Sequence, residues 1–177
     1  MDTLIGKRNY SMTKIIFTGP ESSGKTYLSS FISQKYFLPL ASEFAREYLT
    51  KINRPYNQND LLFIAKKQLK KEQNNIILDT DLITIKIWSE YKYGICENWI
   101  LEQILHQKNE NRIYILCSPD FPWQPDPLRE HPKNRDEIFK IYQSELESLG
   151  YKYYICEGKK KKREEEIKNV ICSILNL

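Results

Sequence analysis

Eight residues near the start of the chain constrain it more than any other stretch: Gly19-Pro-Glu-Ser-Ser-Gly24-Lys25-Thr26. They have the spacing G-x-x-x-x-G-K-S/T, they follow the apolar run Lys14-Ile-Ile-Phe-Thr18, and an amphipathic, helix-length segment over about 24–36 comes after them. A plain glycine-rich turn would need none of this context. Between a strand and a helix, however, the glycines let the backbone curl into a nest of amide N–H groups that cradles phosphates. Lys25 then reaches the β and γ oxygens, the Thr26 hydroxyl becomes a magnesium ligand, and the helix N-terminus adds the positive end of its dipole. The residues expected against the nucleotide are Gly19, Glu21, Ser22, Ser23, Gly24, Lys25, Thr26 and Tyr27, with ATP and Mg2+ as cofactors.

The rest of the pattern agrees. Strand-length apolar runs recur at Lys14–Thr18, weakly at Leu38–Ser42, then at Asn75–Asp79, Arg112–Cys117 and Tyr151–Cys156. Helix-length segments lie between and after them, at about 24–36, 43–51, 57–74, 81–92, 97–108, 134–149 and 160–175. That alternation predicts an α/β fold with a parallel five-stranded sheet, and 177 residues make one domain, 1–177. Ile100, Ile104 and Leu105, and Ile167, Ile171, Ile174 and Leu175, read as core stripes of their helices. One segment breaks the rhythm: five of the eight prolines fall in Ser118–Pro132, so a long loop, a candidate lid over about 118–135, is expected there.

Composition removes several function classes. The formal charge of +4 is small and interspersed, which argues against a nucleic-acid partner and leaves small anionic ligands open. Cys96, Cys117, Cys156 and Cys172 form no CxxC pair, so neither a disulfide framework nor a zinc site is expected, and a reducing, cytoplasmic setting fits. No run approaches the ~18 apolar residues of a membrane span, and Met1–Lys14 lacks the apolar core of a secretory signal. The oligomeric state is not legible.

A phosphate loop needs a second acid on a neighbouring strand, and Asp79 closes the run Ile76-Ile77-Leu78 as a metal-shell candidate beside Thr26. Asp81 reads equally as a helix N-cap or as a catalytic acid. Glu43 and Arg46 share one helical face at the carboxyl edge of the sheet, where acceptor binding is a better reading than a surface ion pair. Arg129 and Arg135 flank the proline-rich loop, placed to clamp charge on a transferring phosphoryl group. Gly158 follows the last strand, where an adenine ring would rest, while Lys159–Arg163 reads as a solvated basic face. His106 and His131 sit in no catalytic pattern.

Four blocks together resemble a known family. Gly19–Thr26, Glu43-Phe-Ala-Arg-Glu-Tyr48, Asp79-Thr-Asp81 leading into Trp88-Ser-Glu-Tyr91, and Pro122-Trp-Gln-Pro-Asp-Pro-Leu-Arg129 are similar to the ribosylnicotinamide kinase domain of NadR-type bacterial proteins and its stand-alone relatives. The resemblance implies a nucleoside-kinase-like P-loop domain with strand order 2-3-1-4-5 that phosphorylates nicotinamide riboside with ATP, giving nicotinamide mononucleotide in NAD salvage. It favours Glu43 over Asp81 as the base for the 5′-hydroxyl. For a cationic nicotinamide ring, Glu43, Glu47, Trp88, Glu90 and Tyr91 are the acids and rings available. With only some 18 residues ahead of the P-loop and no H-x-G-H motif, the chain is expected to make the mononucleotide without the dinucleotide. A P-loop kinase for another small acceptor, or a regulatory ATPase with no acceptor, are the alternatives.

Overall fold

The computed structural model describes residues 13–130 and 133–177; His131 and most of the Met1–Lys14 segment lie outside the described residues. Among the described residues five strands, β1 (Lys14–Thr18), β2 (Leu40–Ala41), β3 (Ile77–Asp79), β4 (Arg112–Cys117) and β5 (Lys152–Cys156), form one sheet in the order β2-β3-β1-β4-β5. Every pairing is parallel, as the expected topology requires. Among the described residues, six helices lie between strands, α1 (Lys25–Tyr36), α2 (Phe44–Leu49), α3 (Gln58–Lys71), α4 (Leu82–Tyr93), α5 (Asn98–Gln107) and α6 (Arg135–Ser148), and α7 (Lys160–Leu175) follows the last.

A parallel sheet is covered on both faces, which is why the central strands are apolar throughout rather than alternating. Ile16, Leu78, Tyr114 and Leu116 point to the side packed by α2 to α6. Ile15, Phe17, Ile77, Ile115 and Cys117 point to the other, covered by Leu28 and Ile32 of α1 and by Ile167, Ile171 and Leu175 of α7. The α5 stripe is narrower than expected: Ile100 and Ile104 are buried, but Leu105 is 57% exposed, because one residue past Ile104 turns about 100° round the helix. β2 is shortened to Leu40–Ala41 by Pro39, which has no N–H to give to a ladder; its carbonyl instead accepts from Ile76 and Ile77 at 3.1 and 3.0 Å. The carboxyl ends of β1, β2, β3 and β4 therefore open on one edge, presenting Gly19, Glu43, Asp79 and the loop after Cys117.

Candidate active site

Backbone shape builds the phosphate loop. Gly19 has φ +130, and a Cβ there would stand 2.6 Å from the Cys117 carbonyl oxygen on β4, so only glycine fits between the strands. Gly24, at φ +87, turns the chain into α1. The Lys25 ammonium curls back over its own loop and donates to the carbonyls of Gly19 (2.8 Å) and Pro20 (2.7 Å), while the Ser23 hydroxyl donates to Pro20 at 2.7 Å.

A cavity of about 460 Å³ opens in front of this loop. Gly24, Lys25, Thr26 and Tyr27 form one wall, Glu43, Arg46 and Trp88 another, and Phe121, Leu128 and Arg129 close over it from the loop after β4. Glu43 stands at the N-cap position of α2, yet its side chain makes no capping bond. The Gln68 side chain accepts the Phe44 amide at 2.8 Å instead, which leaves the Glu43 carboxylate for the cavity. Burial pushes the Glu43 carboxyl up to about 6; the neighbouring Asp79 carboxylate adds to the rise, and Lys25 and Arg46 offset part of it.

Asp79, at the end of β3, is also raised by burial, against the pull of the Thr26 hydroxyl and of Lys25 and Arg46. Its Oδ1 is buried with no hydrogen-bond partner, a cost that a cation would relieve. A hydroxyl and a carboxylate side by side are the hard oxygen donors that suit Mg2+, with phosphate and water completing the shell, so the residues fit that ion.

The loop over 118–134 has no regular structure where it is described, and it is tied across the cavity mouth. Arg46 donates to Asp126 at 2.9 Å, the Gln124 amide to the Ser22 hydroxyl at 3.3 Å, and the Glu130 amide to the Glu21 carboxylate at 3.1 and 3.2 Å. Glu130 in turn accepts from Tyr56 and Lys92, both at 2.8 Å. Arg129 donates to the Gln124 carbonyl at 2.6 Å, and its Cζ lies 6.0 Å from the centre of the Trp123 ring.

Several expected residues stand elsewhere. Asp81 is fully buried as the N-cap of α4: one oxygen accepts the Ile83 amide at 3.1 Å, the other accepts from Tyr114 (2.7 Å) and Arg112 (3.1 Å). With both oxygens committed and no cavity wall, it is a structural acid rather than a base. Glu47 faces solvent and pairs with Lys51 at 3.1 Å and Lys71 at 3.7 Å, because one residue past Arg46 turns away from the cavity. Glu90 pairs with Lys86 at 2.9 Å. Tyr91 lines a small recess behind Trp88 rather than the main cavity. Arg135 donates to the Phe121 carbonyl at 2.9 Å, bracing the loop from outside. The Gly158 amide is taken by Asp120, so that turn is closed on the loop.

Arg163 is the residue that the sequence reading missed. It is 1% exposed, not solvated, and donates to the backbone carbonyls of Ser23 (2.6 Å), Ser118 (2.8 Å) and Gly158 (2.9 Å) and to Asp120. The signal was the four-residue spacing Arg163, Ile167, Ile171, Leu175, which puts the arginine on the buried face of α7.

The sequence matches the family described as AAA domain over residues 14–163. The chain belongs to that family. No curated protein matches it. Among solved structures, this AAA-domain chain is similar to NadR in complex with NR, at 19% identity and TM-score 0.70, covering 94% of this chain and 52% of that one. NadR in complex with NAD and AMP-PNP gives 20% identity and TM-score 0.68, covering 94% and 50%. Deoxyadenosine kinase from M. mycoides with bound dATP gives 18% identity and TM-score 0.53, covering 89% and 98%. The chain thus spans about half the length of the NadR chains, and at these identities the likeness is one of fold.

Proposed function

We propose that this AAA-domain chain is an ATP-dependent kinase whose acceptor is nicotinamide riboside, phosphorylated to nicotinamide mononucleotide in NAD salvage. One observation carries the kinase reading. A carboxylate held near pKa 6 faces the phosphate loop across a cavity that extends to Arg46 and Trp88, past the loop residues themselves. Hydrolysis alone needs no such chamber. The NadR complex with NR supports the choice of acceptor, as do the four sequence blocks shared with that family.

In this reading the loop amides and Lys25 bind the β and γ phosphates, Lys25 exchanging its carbonyl partners for phosphate oxygens. Thr26 and Asp79 would hold Mg2+, which supplies neutralising charge to the phosphates when bound. Glu43 takes the proton of the acceptor 5′-hydroxyl. The freed oxygen pair bonds to the γ phosphorus, and the bond from that phosphorus to the β–γ bridging oxygen breaks, leaving ADP. Arg129, on the loop over the cavity, stabilises the charge on the transferring group, and Trp88 offers a ring face to a cationic base.

Membership of the AAA domain family favours a second reading, an ATPase that drives a conformational change with no acceptor. ADP release with and without a nucleoside panel divides the two. ADP formed only with nicotinamide riboside, together with a mononucleotide product, is the expected result. Acceptor-independent release refutes the kinase, and equal rates across the panel refute the acceptor alone.

A further inference from the structure

A phosphate loop binds through amides that face the ligand, and a trans peptide whose amide faces the ligand has its own carbonyl facing away. Something must hold those carbonyls from behind, out of water. Here the group behind the loop is Arg163 of α7, whose Nη1 donates to the Ser23 carbonyl at 2.6 Å and lies 3.7 Å from where a Gly24 Cβ would stand. The same guanidinium reaches Ser118, Gly158 and Asp120, and its Cζ sits 4.4 Å from the centre of the Phe121 ring. Three carbonyls, one carboxylate and a ring face match the planar fork of an arginine and no other side chain.

The peptide between Ser23 and Gly24 is trans, so its carbonyl and its N–H point in opposite directions. Fixing the Ser23 oxygen on Arg163 therefore sends the Gly24 N–H to the other side, and Gly24 lines the cavity. We propose that Arg163 is a positioning residue for phosphate binding: by holding the Ser23 carbonyl behind the loop it aims the Gly24 amide at the nucleotide. Through Asp120 and Phe121 it ties that orientation to the stem of the loop over the cavity. The inference rests on the nucleotide reading of the site but not on the identity of the acceptor.

Calorimetric titration with Mg·AMP-PNP tests it, because stoichiometry and Kd are read separately. Wild-type protein must bind; if it does not, the nucleotide reading fails and takes this inference with it. If it does, Arg163→Met and Arg163→Lys are each expected to bind on the order of 10-fold more weakly per folded molecule, since a lysine keeps the charge but not the fork. A residue that only staples α7 would lower the melting temperature and the stoichiometry while leaving Kd unchanged, and that result overturns the proposal. Should neither variant fold, the Gly24 amide resonance in wild-type protein decides. A downfield shift on adding Mg·AMP-PNP is expected, and an unmoved Gly24 amide overturns the assignment.

Discussion

Replacing Glu43 by Gln keeps the shape of the cavity wall and removes one charge and one proton acceptor. Because Glu43 is pushed to about 6 by burial and by Asp79, its ionised fraction should change steeply over the accessible pH range. About 91% is ionised at pH 7 and about 9% at pH 5, so a reaction that needs the carboxylate should run about tenfold faster at pH 7. With an unshifted carboxyl, whose ordinary value is 4.5, the same ratio would be only about 1.3. The assay is kcat/KM for the acceptor between pH 4.5 and 8, alongside a carbon-13 titration of the Glu43 carboxyl in the free protein. Glu43→Gln is expected to lower kcat by about 10²- to 10⁴-fold and to abolish the acid limb. Asp79→Asn, which removes the like charge, should move the Glu43 midpoint to lower pH even if that variant is inactive. A wild-type ratio near one, or a Glu43→Gln enzyme within threefold of wild type, would refute the assignment of the base.

Lys25→Ala should abolish turnover without unfolding the chain, since the ammonium holds only two carbonyls of its own loop; circular dichroism and ADP release check the two halves. Arg129→Ala is expected to lower kcat by ~10²-fold with a smaller change in ATP KM, the pattern of a contact strongest in the transition state; an unchanged kcat places its role elsewhere. Arg112→Met should cost about 3–5 kcal/mol, or roughly 6–20 °C in Tm, because the fully buried Arg112 is the cation between Glu72 at 3.0 Å and Asp81 at 3.1 Å. Burial raises Glu72 to about 7 from 4.5, so the native state holds that proton more tightly than the unfolded chain, and ionisation lowers stability as pH rises through that window. The melting loss in Arg112→Met should accordingly be smaller at pH 5 than at pH 8, and an equal loss would separate Arg112 from Glu72.

Much of the fold could be read along the chain because its signals are local. The glycine spacing before Lys25, the apolar runs that became β1 and β4 at their expected bounds, and the prolines after Ser118 each express a backbone preference that needs no partner. Asp79 likewise follows from its position at the end of a strand next to β1. What tertiary structure decided is which polar groups meet. Asp81 and Asp79 are two residues apart and equally acidic on paper. Only the approach of Arg112 and Tyr114 from β4 makes the first a buried structural acid, while the second keeps an unpartnered oxygen beside Thr26. Arg163 sits in a run of basic residues that reads as surface, and becomes a buried clasp because α7 lies against the phosphate loop 140 residues away in sequence. Propensity and periodicity are written into neighbouring residues, whereas desolvation and charge pairing depend on groups that only the closed sheet brings within a few ångströms.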